Sequence, residues 1–181
     1  MKTLVIVAHP HLNEGSRANL KKVEALKAQP EITVHSLYES YPNWAINVKQ
    51  EQQLLLAHER IVLQFPLYWY SVPPLLKKWF DDVMEYGWAF GSNGVQLKGK
   101  QFILAISAGG GKADYRAGGY DWFSMSEYMK PWQATIARCN GTFLPSWETY
   151  DADQASEGQL EQDALAYVQY IQDESLENYS L

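Results

Sequence analysis

A chain of 181 residues with a formal net charge of -6 fits one domain with its own core, expected to span residues 1–181. The acidic balance excludes a phosphate-backbone reader of nucleic acid, which needs a clustered basic face. The single Cys139 excludes an internal disulfide and a cysteine zinc site, and it suits a reducing compartment, so a cytoplasmic location is expected. TLVIVA is too short for a signal peptide, and the greasy region from Ile61 to Leu76 is broken by Gln64, Pro66, Ser71, Pro73 and Pro74, so no membrane span is predicted.

The continuous apolar run Thr3 to Ala8 predicts a strand buried on both faces. The loop HPHLNEG leads to Ser16, a good N-cap, and Leu20, Val23 and Leu26 then recur at helical spacing until Pro30. Ile32 to Leu37 alternates as an edge strand does. After the loop YESYPNWAINV comes a short helix over QEQQLLLAHE, and Arg60 to Phe65 reads as the third strand.

Pro73 and Pro74 suit a first helical turn. Behind them Leu75, Leu76, Trp79, Phe80, Val83 and Met84 define one apolar face, with Gly87 as the expected stop. GWAFGSNGVQLKGK is a Gly-rich loop. Gln101 to Ser107 is the fourth strand, followed by a long loop, AGGGKADYRAGGYDWFSM, of a length that is usually functional or disordered; its rings argue against disorder. Ser126 is the expected cap of the next helix, with Met125, Met129, Trp132 and Ile136 on one face and a kink at Pro131. TFLPSWETY is a weaker fifth strand, Leu160, Ala164, Val168 and Ile171 mark a last helix, and LENYSL reads as a frayed end.

Strands alternating with helices imply an open, doubly wound α/β fold, a five-stranded parallel sheet with helices on both faces. Ligands of such folds bind outside the carboxyl ends of the strands, where strand order reverses. The loops there carry HPHLNEGSRAN, PLYWYS and AGGGK. The first feeds a helix N-terminus suited to a phosphate, the second presents flat rings and the third bare backbone amides. Together they describe a pocket for a flavin or another nucleotide-like cofactor.

Each feature has a plainer reading. Ser16 is most often just a cap, PLYWYS is ordinary packing, and GGG is a turn that matches neither the dinucleotide fingerprint nor a Walker loop. His9 and His11 suggest a metal only if further ligands exist, and no second cluster is visible in the sequence, so no metal is expected. The joint placement on one sheet edge favours the pocket.

HPHLNEGSRAN, FPLYWYSVPPLLKKWFDDVMEYGWAFG and SAGGGKADY resemble the signature segments of the flavodoxin-like NAD(P)H:quinone oxidoreductases. LYESYPN, EQQLLLAHE and DYRAGGYDWFSMSEYMKPWQAT resemble its small bacterial branch, which includes the ancillary proteins of glutathione-regulated potassium-efflux systems. The resemblance covers roughly residues 2 to 150 and implies the flavodoxin-like strand order 2-1-3-4-5. It also implies a bound FMN, rather than FAD, reduced by NADH or NADPH and reoxidised by a quinone. The residues matching the family's phosphate site are His9, Ser16, Arg17, Ala18 and Asn19; Leu67, Tyr68, Trp69 and Tyr70 match the flavin wall; Ala108, Gly109, Gly110 and Gly111 match the amides at its polar edge.

Larger relatives place a Tyr and a His beside the flavin. Tyr115 stands at the Tyr spacing, but no His follows, only Arg116, Tyr120 and Asp121, so Tyr120 or a water is the expected substitute. Lys112 is expected to point to solvent. The resemblance further implies a homodimer, which suits the surplus rings Tyr86, Trp88 and Phe90. A second reading is a regulatory ancillary subunit docked on a potassium-efflux antiporter, peripheral at the inner face of the cell membrane. A one-electron carrier fits less well with the aromatic wall and the long loop.

Overall fold

A computed structural model describes residues 1–177. Its sheet is parallel throughout: β2 (Ile32–Ser36), β1 (Thr3–Val7), β3 (Arg60–Pro66) and β4 (Gln101–Ser107) lie side by side, with β5 (Thr142–Phe143) and β6 (Trp147–Thr149) both pairing with β4. The order β2-β1-β3-β4-β5 reverses direction between β1 and β3, as the doubly wound reading requires. The expected fifth strand is split because Pro145 has no N–H for the ladder; Leu144 still donates to the Phe102 carbonyl at 2.8 Å before the break.

Successive strand residues face opposite ways, so the continuous apolar runs feed two cores. Leu4, Ile6, Ile61, Leu63 and Phe65 face one side, where α3 (Val48–Leu56), α4 (Pro74–Val83) and α6 (Lys130–Arg138) bring Leu55, Trp79, Trp132 and Ile136. Val5, Val7, Val62 and Ile103 face the other, covered by Val23 and Leu26 of α1 (Arg17–Lys27) and by Tyr167, Val168 and Ile171 of α7 (Glu157–Gln172). Among the described residues, no helix is long and apolar enough to cross a membrane.

Helix boundaries differ from expectation in five places. A one-turn helix, α2 (Leu37–Ser40), follows β2 directly. α3 starts earlier than Gln50, because the Asn47 side chain accepts the Gln50 N–H at 3.2 Å and caps it. Gly87 does not end α4, which stops at Met84; Gly87, at a φ of +80°, instead serves the following turn, where its N–H meets the Phe90 carbonyl. Ser126 is not the cap after the long loop: Ser124 is, in a capping box with Glu127 that opens α5 (Met125–Tyr128). Pro131 causes no kink, because it lies in the first turn of a separate helix, α6, where its missing N–H costs nothing. At the chain end Leu176 packs on the second core, and the remainder of the expected frayed end, 178–181, lies outside the described residues.

Candidate functional site

Strand register brings the three loops together. Val7 of β1 is level with Gln64 of β3, and Pro66 with Ser107 of β4, so the chain leaves all three strands at one edge. Between these loops lies a cavity of about 330 Å³ lined by His9, Ser16, Leu67, Tyr68, Ala108 and Gly109, among others.

The N-terminus of α1 opens into it. Ser16 occupies the N-cap position, but its hydroxyl makes no capping bond and the first turn carries no acidic residue. Unpaired N–H groups and the positive end of the helix dipole therefore face the cavity. Half-buried His9 accepts the His11 N–H at Nδ1, 3.1 Å away, which leaves the proton on Nε2. Burial, and then the neighbouring His11, lower its pKa to about 4. The neutral ring is thus a hydrogen-bond donor at physiological pH.

Arg17 and Asn19 line the same cavity with their side chains already engaged. The Arg17 guanidinium bonds Glu157 at 2.7 and 3.2 Å and the Asp153 carbonyl at 3.1 Å, tying the start of α1 to the start of α7. Buried Asn19 donates to the Ser107 hydroxyl at 2.7 Å and accepts from Gln64, which locks α1 to β3 and β4. Ala18 packs against Ala152 and Leu160. The phosphate-like end is therefore built from backbone, Ser16 and His9, with Arg17 neutralised by Glu157. Nothing local in the sequence foretold Glu157, because the contact spans 140 residues.

The loop after β3 is a two-residue turn in which Tyr68 and Ser71 exchange N–H···O bonds, both 3.0 Å. Trp69 and Tyr70 sit inside it at φ values of +45° and +61°. Such a turn normally takes Asn-Gly, and two aromatic residues there cost roughly 1–2 kcal/mol each. Strain of this kind persists where function needs the side chains presented. Trp69 is 94% exposed; Tyr70 stacks on Tyr128, ring centroids 4.8 Å apart at 22°, and donates its hydroxyl to Asp121 at 3.1 Å. The Tyr128 hydroxyl in turn donates to the Asp121 carbonyl.

The glycine loop offers two free amides. The Gly111 N–H is taken by the Asp114 carboxylate at 2.9 Å, whereas those of Gly109 and Gly110 have no partner among the described residues. A side chain at Gly110 would press on the Tyr115 ring at 3.2 Å, and one at Gly109 would displace the Asp153 carboxylate, 2.9 Å away. Tyr115 lies edge-on to Tyr128 and tilted on Tyr150; burial and then the Asp121 charge push its pKa up to about 12, which keeps its hydroxyl protonated. Tyr120 is 85% exposed. Lys112 is exposed, as expected. Among the described residues, no group of three or more His, Cys, Asp and Glu could hold a metal ion.

An open helix start, a donor histidine, free glycine amides and a ring-bearing turn gather at the strand switch point of a doubly wound sheet, the place where such folds bind ligands. A family model described as flavodoxin-like fold matches residues 1–171. The chain belongs to that flavodoxin-like family, among its NAD(P)H oxidoreductases and quinone reductases.

It is 52% identical to an uncharacterized NAD(P)H oxidoreductase, YdeQ, of Bacillus subtilis, over 94% of this chain and 86% of the relative. With the glutathione-regulated potassium-efflux system ancillary protein KefG of Yersinia pestis it shares 38% identity, over 94% and 93%. The structure of general stress protein 14 of Treponema denticola in complex with FMN superposes with a TM-score of 0.90 at 39% identity, covering 94% of this chain and 98% of that one. An NADPH-quinone reductase from P. pentosaceus gives 0.86 at 35% identity, covering 96% and 99%.

Proposed function

We propose that this chain is a flavin-dependent NAD(P)H:quinone oxidoreductase that holds FMN at the switch-point cavity. The observation that carries this reading is the uncapped, acid-free start of α1 sharing one cavity with the free amide of Gly109. FMN bound there supplies hydride acceptance from NADH or NADPH and hydride delivery to a quinone-like acceptor. The backbone at Ser16, Arg17 and Ala18, with the Ser16 hydroxyl and His9 Nε2–H, would hold the phosphate. Leu67, Tyr68, Trp69 and Tyr70 would flank the ring, and Ala108, Gly109 and Gly110 its polar edge, where amides favour negative charge.

Tyr115, protonated and beside Gly110, donates a hydrogen bond at that edge in this reading. Exposed Tyr86, with Trp88 and Phe90 half-buried next to it, is the surface a homodimer partner would cover. The purified protein should be yellow with an FMN spectrum, bleach anaerobically on addition of NADH or NADPH, and recolour with a quinone. A protein that takes up no FMN, or whose bound FMN neither nucleotide bleaches, overturns the proposal.

The 38% identity to KefG supports a second reading, an ancillary subunit of a potassium-efflux antiporter. Co-purification with such a transporter, and ion efflux that changes on deletion, would favour it.

A further inference from the structure

Beside the glycine loop a second open cleft of about 700 Å³ is lined by Lys112, Tyr115, Arg116, Ser124, Ser126 and Tyr150, with Ala113, Met125 and Glu148 completing it. Two of its walls are rings: Tyr115 and Tyr150 lie tilted on one another, centroids 5.5 Å apart. Two of its groups are cations without carboxylate partners. Lys112 makes no ion pair or hydrogen bond among the described residues, and Arg116 makes only a bond from Nε to the Ala113 carbonyl at 3.0 Å.

Lys112 and Arg116 share their loop with Asp114 and Asp121, and Glu148 lines the cleft itself, but none of these carboxylates pairs with either cation. The Glu148 carboxylate accepts the Tyr150 hydroxyl at 2.6 Å, that of Asp114 the Gly111 N–H, and that of Asp121 the Tyr70 hydroxyl. Along the same cleft the Ser124 hydroxyl is committed to the Glu127 carboxylate at 2.7 Å, and the Ser126 hydroxyl lies 3.1 Å from it.

We infer that this cleft receives the adenosine end of the dinucleotide and that Lys112 and Arg116 bind its ribose 2′-phosphate, which makes the chain selective for NADPH over NADH. A guanidinium and an ammonium are the groups that recognise a phosphate monoester, and a tyrosine ring gives an adenine a flat surface to lie on. Tyr115 links the two sites, because it walls this cleft and also lies against Gly110, the chain neighbour of Gly109 in the lining of the first cavity. A dinucleotide with its nicotinamide over the first cavity runs past Tyr115 toward the two cations. NADH has no 2′-phosphate and leaves them idle. The assignment rests on the oxidoreductase reading above.

The test compares the FMN-loaded protein with a Lys112→Gln, Arg116→Gln double variant and with Lys112→Arg, which keeps the charge. Calorimetric titration uses adenosine 2′,5′-bisphosphate and adenosine 5′-monophosphate as probes. The parent chain should bind the bisphosphate about tenfold or more tightly than the monophosphate, a gap expected of charge-assisted phosphate bonds. The double variant should abolish that difference, and Lys112→Arg should retain it. In steady state the double variant should raise KM for NADPH about tenfold and leave KM for NADH and kcat unchanged. Equal affinity of the parent for the two probes overturns the inference, as does a double variant that keeps the gap or weakens both coenzymes alike. Absence of bound FMN would instead overturn the oxidoreductase reading, while the probe titration still decides the 2′-phosphate site.

Discussion

The Tyr70 hydroxyl donates to the Asp121 carboxylate across 3.1 Å, joining the strained turn after β3 to the long loop after β4. Asp121 lies in the stretch after Tyr115 that holds no histidine, and its backbone carbonyl also receives the Tyr128 hydroxyl. One residue therefore fixes two stacked rings beside Tyr115.

Replacing Asp121 with Ala, or Tyr70 with Phe, should release the ring-bearing turn. The expected result is a threefold to tenfold fall, roughly what one hydrogen bond contributes, in kcat/KM for the acceptor, with FMN content and melting temperature unchanged. Asp121→Asn keeps an acceptor and should retain most of the activity. Steady-state kinetics with a quinone checks this, and an unchanged kcat/KM in both loss variants would remove Asp121 from the site.

Ser16 and Ser156 should behave oppositely. Ser156 caps α7 in a box with Gln159, so Ser156→Ala should destabilise the fold by about 1 kcal/mol. Ser16 makes no capping bond, so Ser16→Ala should leave the apo-protein's stability intact while weakening FMN about tenfold or more, the worth of one hydrogen bond to an ionised phosphate. Denaturant melts and flavin titrations separate the two effects.

His9 predicts a pH dependence with a definite sign. Its folded-state pKa is depressed to about 4 against 6.5 for the free side chain, so between these values the unfolded chain binds more protons. The apo-protein should lose stability as pH falls from about 6.5 toward about 4, and His9→Asn should flatten that segment of the curve. A bound phosphate favours the charged ring, so inorganic phosphate should raise the His9 pKa, which NMR titration of the imidazole reads directly.

Glu51 is the buried hub of the α3 side of the sheet. Its carboxylate accepts from Trp79 Nε1 at 2.8 Å, His35 Nε2 at 2.9 Å and the Tyr41 hydroxyl at 2.5 Å. Burial alone would push this carboxyl up, yet the three donors hold it below the usual carboxylate value. Its stabilising effect is present above the unfolded pKa and disappears as pH drops through the lowered folded one. Glu51→Ala should cost about 3 kcal/mol, or about 10 °C in melting temperature, by leaving three donors unpaired. A thermal melt showing no loss would mean that water replaces the carboxylate.

The sheet was legible because a parallel strand buried on both faces must read as an unbroken apolar run, and β1, β3 and β4 do. Edge strand β2 was legible for the converse reason. Caps were harder: Ser124 and Ser126 are both acceptable by type, and only the reach of Glu127 back to Ser124 selects one. The split of the last strand at Pro145 was within reach of the sequence, since proline withholds a ladder N–H; the segment simply spans the break.

Which loops meet was also legible in the sequence: the alternation of strands and helices implies a parallel sheet with its ligand at the strand carboxyl ends, and the family resemblance supplies the strand order. Residue types at those loops, a helix start, a pair of rings and a run of glycines, limited the ligand to something phosphate-bearing and flat. What each side chain does there was settled only by tertiary structure. Arg17 is turned to Glu157, Asn19 is drawn inward by Ser107 and Gln64, Gly111 is closed by Asp114, and Asp121 is joined to Tyr70. The physical reason is that a hydrogen-bonding group takes the best partner within about 3 Å, and for most of these groups that partner lies tens of residues away along the chain.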